Sequence, residues 1–183
     1  MKKLHLATSN DSLRPVMQYI QVKNGFCYAT DAHILVKVPI NEVFGNNIFN
    51  NYDCVYISGK EWKDQKMYKA VSFERKDNLL IAYDKKHQKL GMIEFLTTYQ
   101  FEQKIGKFPD CEMILPTEDK PKEDLSLISF NPTLYARIGE ALEETCQLFN
   151  LTFFGQRKAI LIKHNKPEEF TKGIAVMMPL AIF

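Results

Sequence analysis

Short segments with the patterning of strands recur along the chain, separated by polar turns, and give way to helical signals in two places, which predicts an α+β fold. Lys3 to Ala7 alternates as a short strand does, and Thr8 to Ser12 is a cluster of turn formers. Pro15 disfavours helix beyond a first turn, so Leu13 is expected to run in extended form into a hairpin. The arms of that hairpin are Val16 to Lys23 and Phe26 to Val38, and its turn is Asn24-Gly25, a dipeptide that accepts positive φ. Asn41 to Asn51, rich in asparagine, reads as an exposed connection, and Tyr52 to Ile57 reads as a further strand.

Ser58 with Glu61 fits a reciprocal capping box, in which each side chain satisfies a backbone N–H left free at a helix start. The helix it opens is expected to end near Lys69. Between Ala70 and Ile105 a meander follows, with strands Val71 to Arg75, Leu79 to Asp84 and Lys89 to Tyr99. Polar turns at Lys76-Asp77-Asn78 and Lys85-Lys86-His87 separate them. Glu118 to Asp124 concentrates charge around Pro121 and reads as a linker, dividing the chain into 1–118, 119–124 and 125–183.

Leu125 to Phe130 then reads as a strand, and Asn131-Pro132 sets a capping residue before a proline at the first helical position. A helix of about 17 residues is expected to bury Leu134, Ile138, Leu142, Cys146 and Phe149. Thr152 to Phe154, Ala159 to His164 and Ile174 to Leu180 supply strands. The order strand, helix, three strands thus occurs after Tyr52 and again after Leu125, a repeat carried by pattern and not by residue identity.

Composition adds limits. With 183 residues, 45% hydrophobic content, 13 Phe, 8 Tyr and one Trp, there is ample material for a core. A net charge of +2 is far from the basic balance of a domain that binds DNA by neutralising phosphates, so tight autonomous DNA binding is not supported. Cys27, Cys54, Cys111 and Cys146 form no C-x-x-C pair and have no histidine at zinc-ligand spacing, so they read as reduced core thiols, with no metal or cofactor expected. Met1-Lys2-Lys3 is followed by a short apolar stretch broken by His5, Thr8, Ser9 and Asn10, unlike a signal peptide, and no run reaches transmembrane length. The expected compartment is the cytoplasm.

Three segments carry a resemblance: Ala29-Thr30-Asp31-Ala32-His33-Ile34-Leu35, Gly106-Lys107-Phe108-Pro109-Asp110 leading to Leu115-Pro116, and Val176-Met177-Met178-Pro179-Leu180. In order and separation they resemble the bacterial DNA sliding clamp, the β subunit of DNA polymerase III. That family has Ala-Thr-Asp-Gly-His-Arg-Leu and Gly-Arg-Phe-Pro-Asp-Tyr in its middle domain and ends in Val-Met-Pro-Met-Arg-Leu. Leu13-Arg14-Pro15-Val16-Met17 and Phe130-Asn131-Pro132 are similar to two further segments of it. Leu13 to Pro116 resembles the middle domain, Ser129 to Phe183 resembles the second half of the last domain, and nothing corresponds to the first. The resemblance therefore implies a truncated clamp-like fold of repeated strand-helix-three-strand units with antiparallel sheets.

It also implies a function without catalysis: a protein of DNA replication or repair that docks short peptides of polymerases or repair proteins in an apolar pocket. Carried over by position, the pocket residues are Met17, Thr30, His33, Leu35, Pro116, Val176, Met178 and Pro179, flanked by Met177 and Leu180. Flexible methionines suit such a surface because they repack around varied anchors. Read without the family, Met178 and Leu35 on strands are core residues, and His33 is a hydrogen-bonded structural residue. Ile34 and Ala181 stand where the family has arginines, which implies an altered peptide preference.

The residues that correspond to a DNA-facing surface are Arg14, Lys60, Lys63 and Arg137. Lys60, Lys63, Lys66 and Lys69 spread around their helix instead of forming a stripe, and Glu140, Glu143 and Glu144 accompany Arg137. Two functions stay open: a clamp-like module that self-associates into a ring on double-stranded DNA without reading its sequence, and an adaptor or competitor that binds peptides without encircling DNA. An enzyme using Asp31 and His33 as an acid–base pair is the weakest class, because no nucleophile motif, phosphate loop or metal cluster accompanies them.

Overall fold

Asn24 and Gly25 take φ of 52° and 82°, the twisted turn that two adjoining strands require, and fold β1 (Tyr19–Lys23) against β2 (Phe26–Thr30). This is a computed structural model, and it describes residues 2–45, 48–49, 54–116, 129–142, 149–155, 158–168 and 171–179. A second turn at 31–33 returns the chain as β3 (Ile34–Pro39), so the arm expected as one strand from Phe26 to Val38 is two. After α1 (Ile40–Phe44), β4 (Cys54–Ser58) pairs with β1. Ser58 caps α2 (Gly59–Asp64) by accepting from the Glu61 N–H.

The meander has the expected turns, with Asp77 and His87 at positive φ between β5 (Ser72–Lys76), β6 (Leu79–Tyr83) and β7 (Lys89–Thr97). Thr97 and Gln100 then form a complete capping box at the start of α3 (Thr98–Lys104), and Asp110 caps α4 (Cys111–Ile114). The described part of α5 is Pro132–Leu142, followed by β8 (Phe149–Thr152), β9 (Ile160–His164) and β10 (Ile174–Met177). All strands among the described residues belong to one ten-stranded sheet in the order β5-β6-β7-β4-β1-β2-β3-β10-β9-β8, antiparallel at every described pairing.

Because side chains alternate across a strand, the sheet carries a separate apolar layer on each face. On one face Val36, Val38, Ala29 and Ile20 pack with Leu4, Trp62, Ile138, Ala141 and Leu142 beneath α2 and α5. On the other, Tyr28, Leu35, Tyr56 and Val176 pack with Phe101 of α3, with Phe108, and with Cys111 of α4. Tyr56 and Phe101 stack with ring centroids 3.8 Å apart.

Several elements depart from their sequence reading. Lys3 to Ala7 is not a strand: Leu4–Leu6 is a 3₁₀ turn whose Leu4 is fully buried. The extended approach through Leu13 gives way to a second 3₁₀ turn, Pro15–Gln18, in which Pro15 takes a first-turn position, where an N–H would make no bond within the turn and its absence costs nothing. Asn41 to Asn51 is not simply an exposed connection, because α1 buries Val43 and Phe44, and Phe49 packs on Phe44 at 5.2 Å. The helix from Ser58 stops at Asp64 and a 3₁₀ turn covers Met67–Lys69, with Lys66 at φ 53° between them. Tyr99 lies in α3 and not in a strand. Phe149 is not on the helix; it lies in β8, paired with His164, and β8 ends at Thr152. The linker 119–124, positions 125–128 of the strand expected from Leu125, Cys146, Leu180 and Ala181 fall outside the described residues, and Ser129 and Phe130 are not in a strand.

Candidate functional site

Two adjacent rungs of β2, β3 and β10 share the face away from α2 and α5. In one rung Thr30 pairs with Leu35 and Leu35 with Val176; in the next Tyr28 pairs with Lys37 and Lys37 with Ile174. The chain leaving β10 continues along the turn between β2 and β3, where the Met178 N–H donates to the His33 carbonyl at 2.9 Å. The tail and the Thr30–His33 turn therefore run side by side.

Over the first rung lies a recess of ≈ 270 Å³, lined by Met17, Thr30, Ala32, His33, Ile34, Leu35, Pro109, Ile114, Val176 and Met178. Its lining is apolar apart from Thr30 and His33, and the Thr30 hydroxyl is occupied by donating to the Ile34 carbonyl at 2.7 Å. Met17, Thr30, His33, Leu35, Val176 and Met178 of the sequence reading come together here. Pro116 and Pro179 are not among the lining residues, and Pro109 supplies the proline of the wall instead. Ile114 was not singled out, because a four-residue helix leaves no periodicity to read. Leu35 is 2% exposed and forms the floor, whereas Met178 is 41% exposed and stands at the mouth.

On the helix-bearing side of the same turn is a polar cleft of ≈ 420 Å³ lined by His5, Ser9, Asp11, Arg14, Asp31, His33, Lys63 and Arg137, among others. Lys60 and Lys63 line an adjoining hollow. The two arginines are tied internally. Arg137 donates through Nε and Nη2 to the Leu6 carbonyl at 3.0 and 2.7 Å and pairs through Nη1 with Asp31 Oδ2 at 2.9 Å. Arg14 donates to the Asp31 carbonyl at 3.0 Å and sits 3.6 Å from Asp11. Lys60 and Lys63 are exposed.

Asp31 is equally committed. Its Oδ1 accepts from the N–H groups of His33 and Ile34, both at 2.9 Å, so the carboxylate closes the turn and is not aimed at the His33 ring. His5, at the back of the cleft, has its pKa lowered to about 4, first by burial and then by Lys63 and Lys3. Its Nδ1 has no hydrogen-bond partner and its ring lies 5.1 Å from that of Tyr68. No described helix is long and apolar enough to cross a membrane.

No protein-family model and no curated protein matches the chain. Solved structures do. The sliding clamp of Bacillus subtilis DNA polymerase is similar over 98% of this chain and 60% of that one, with a TM-score of 0.64 and 12% identity. The β subunit from the DNA polymerase of Streptococcus pyogenes covers 98% and 63%, at TM-score 0.65 and 15% identity. The Helicobacter pylori β clamp, solved bound to a DNA ligase peptide, covers 98% and 62%, at TM-score 0.64 and 12% identity. The fold is that of the bacterial sliding clamps, and the chain spans less than two thirds of the length of these relatives.

Proposed function

We propose that this chain is a non-enzymatic, sliding-clamp-like docking module of DNA replication or repair, which captures a short apolar peptide segment of a partner protein in the recess beside β10. One observation carries the reading: the register that sets Val176 against Leu35, with the Met178 N–H on the His33 carbonyl, holds an apolar hollow open between tail and turn. A sheet of this kind normally fills such a hollow, because an unfilled apolar surface costs about 25 cal/mol per Å² left to water. An apolar recess with a methionine at its mouth and two polar groups at one side suits an aliphatic or aromatic anchor.

A second reading keeps the recess and removes DNA, making the protein an adaptor or a competitor for clamp-binding peptides. The commitment of Arg14 and Arg137 to internal partners favours it, as does the net charge of +2. Lys60 and Lys63, with Lys66 and Lys69, are exposed cations around α2.

The test is a fluorescence anisotropy titration of a labelled peptide carrying adjacent leucine and phenylalanine anchors. Saturable binding supports docking, and no binding overturns it. Light scattering after size exclusion, with retention on circular but not linear double-stranded DNA, separates the readings: a ring requires an oligomer with topological retention, whereas a peptide-binding monomer is the adaptor.

A further inference from the structure

Beyond the rung that floors the recess, the neighbouring rung presents Tyr28 and Lys37 on the same face, and both side chains converge on Glu112 of α4. The Tyr28 hydroxyl donates to Glu112 Oε1, and Lys37 Nζ lies 2.7 Å from the same oxygen. Lys37 is itself held, its ammonium standing 4.2 Å from the centroid of the Phe26 ring, and its side chain is 15% exposed. Burial works against ionisation of Glu112, but the bonds from Lys37 and Tyr28 outweigh it and its pKa is lowered.

Glu112 sits between the two parts of the chain that make the far wall of the recess. Pro109 is three residues before it and Ile114 two residues after it, and both line the recess. The start of this segment is anchored in the second apolar layer by Phe108 and Cys111, 6% and 3% exposed. Past Cys111, Met113 is 84% exposed and Ile114 41% exposed, and the next packing contact with the second apolar layer is made by the partly buried Leu115. A four-residue helix has no stability of its own, because nucleation costs more than so few hydrogen bonds return. Packing at Cys111 and Leu115 holds the two ends, and between them the polar tie is the one that Glu112 makes with Lys37 and Tyr28.

We propose that Glu112 is a positioning residue for the recess: clamped by Lys37 and Tyr28 on one rung, it fixes α4 so that Ile114 and Pro109 close the wall over the next. The inference rests on the docking reading given above and adds to it a group that never touches the peptide. It makes the wall adjustable, since the bond that holds it lies outside the recess on a carboxylate that is half exposed.

The experiment is a charge swap read in two ways, as peptide affinity by anisotropy with the leucine–phenylalanine peptide and as amide hydrogen exchange of Met113 and Ile114 without peptide. Glu112→Lys, which sets two cations together, is expected to weaken binding roughly three- to tenfold, the range of a partly screened ion pair and its repulsive reversal, and to speed exchange in α4. Glu112→Gln, which keeps the shape, shows a smaller change in the same direction. The double variant Lys37→Glu/Glu112→Lys is expected to regain most of the affinity and the protection that Glu112→Lys loses.

Unchanged affinity and exchange in both single Glu112 variants would overturn the proposal, as would a double variant no better than Glu112→Lys alone. Slower exchange restored by the swap, with affinity unmoved, shows α4 fixed but not serving the recess, and overturns the positioning role. Absence of peptide binding in the unaltered protein retires the docking reading itself, and the exchange data then say separately whether Glu112 fixes α4.

Discussion

Replacing Met178 by aspartate separates a docking wall from a core residue. In the unliganded protein the change is mild. Met178 is 41% exposed at the mouth of the recess, so a carboxylate there keeps contact with water, and the backbone N–H that bonds the His33 carbonyl is retained. The lost contacts of a half-buried methionine are worth about 1 kcal/mol, which for a chain of this size lowers the melting temperature by roughly 2–4 °C. Docking an apolar anchor changes the sum. The anchor displaces the water that solvates the carboxylate, and burying a charge without a partner costs at least about 2–3 kcal/mol even when the group relaxes. At about 1.4 kcal/mol per tenfold, affinity should fall by roughly 30- to 150-fold. Met178→Leu, which keeps volume and polarity, should stay within about threefold. The assay is the anisotropy titration, with circular dichroism melts of each variant. Peptide affinity unchanged by Met178→Asp would refute the site, and a variant that fails to fold would show that Met178 is core.

Arg137→Ala should destabilise without touching DNA retention: it strips Asp31, 8% exposed, of its 2.9 Å ion pair and the Leu6 carbonyl of two donors, a loss of about 2 kcal/mol measurable by urea unfolding. Unaltered stability with weakened retention on DNA would reverse that assignment. Lys60→Glu/Lys63→Glu should remove whatever DNA retention exists while the melting temperature stays within about 2 °C, since both side chains are exposed. Retention unaffected by the reversal would place DNA elsewhere. His5 is held neutral in the fold, with its pKa lowered to about 4 from 6.5, so the unfolded chain binds more protons between those values. Stability is therefore full above about pH 6.5 and falls as pH drops towards 4, by about 1–2 kcal/mol after discounting for the partial exposure of the ring. His5→Gln should flatten that part of the pH profile, and an unchanged slope would exclude His5 as its source.

Where the chain could be read in advance, a single residue type dictated the local backbone. Asn24-Gly25 demanded positive φ, and the Lys76-Asp77-Asn78 and Lys85-Lys86-His87 turns punctuated a meander whose strands pair as their alternation requires. Lys3 to Ala7 failed because five alternating residues fit a strand or one helical turn equally well, and tertiary packing decides: Leu4 buries beneath the helices and the Leu6 carbonyl accepts from Arg137. In α1 the spacing of Ile40, Val43 and Phe44 was a helical signal, but the surrounding asparagines outvoted it. Phe149 continued the helical period of Leu142 and yet belongs to β8, since a single apolar residue two turns on does not distinguish the end of a helix from the start of a strand. For the recess, the strand and tail residues were legible through their order in the chain. Its far wall was not, because Ile114 reaches it through a short helix fixed by a long-range carboxylate that no local pattern encodes.

The turn at 31–33 explains why the recess stays open instead of collapsing. Ala32 sits at φ 77°, a conformation that costs an alanine about 1 kcal/mol or more and persists only where neighbours over-determine it. Here they do. Asp31 Oδ1 takes two backbone N–H groups, the Thr30 hydroxyl donates to the Ile34 carbonyl and accepts from the Ala32 N–H at 3.2 Å, and Arg14 and Arg137 hold Asp31 from the helix-bearing side. With the turn locked, the His33 carbonyl is fixed in space and the Met178 N–H is fixed to it, so neither rim of the recess can move inward. A rim ordered before a ligand arrives loses little entropy when one docks, which lets a small apolar contact bind usefully. The arginines that a DNA-facing role would claim are thus the ones that brace the recess from behind. On the docking reading, the helix-bearing face contributes through stability, and Lys60 and Lys63 are among its exposed charges.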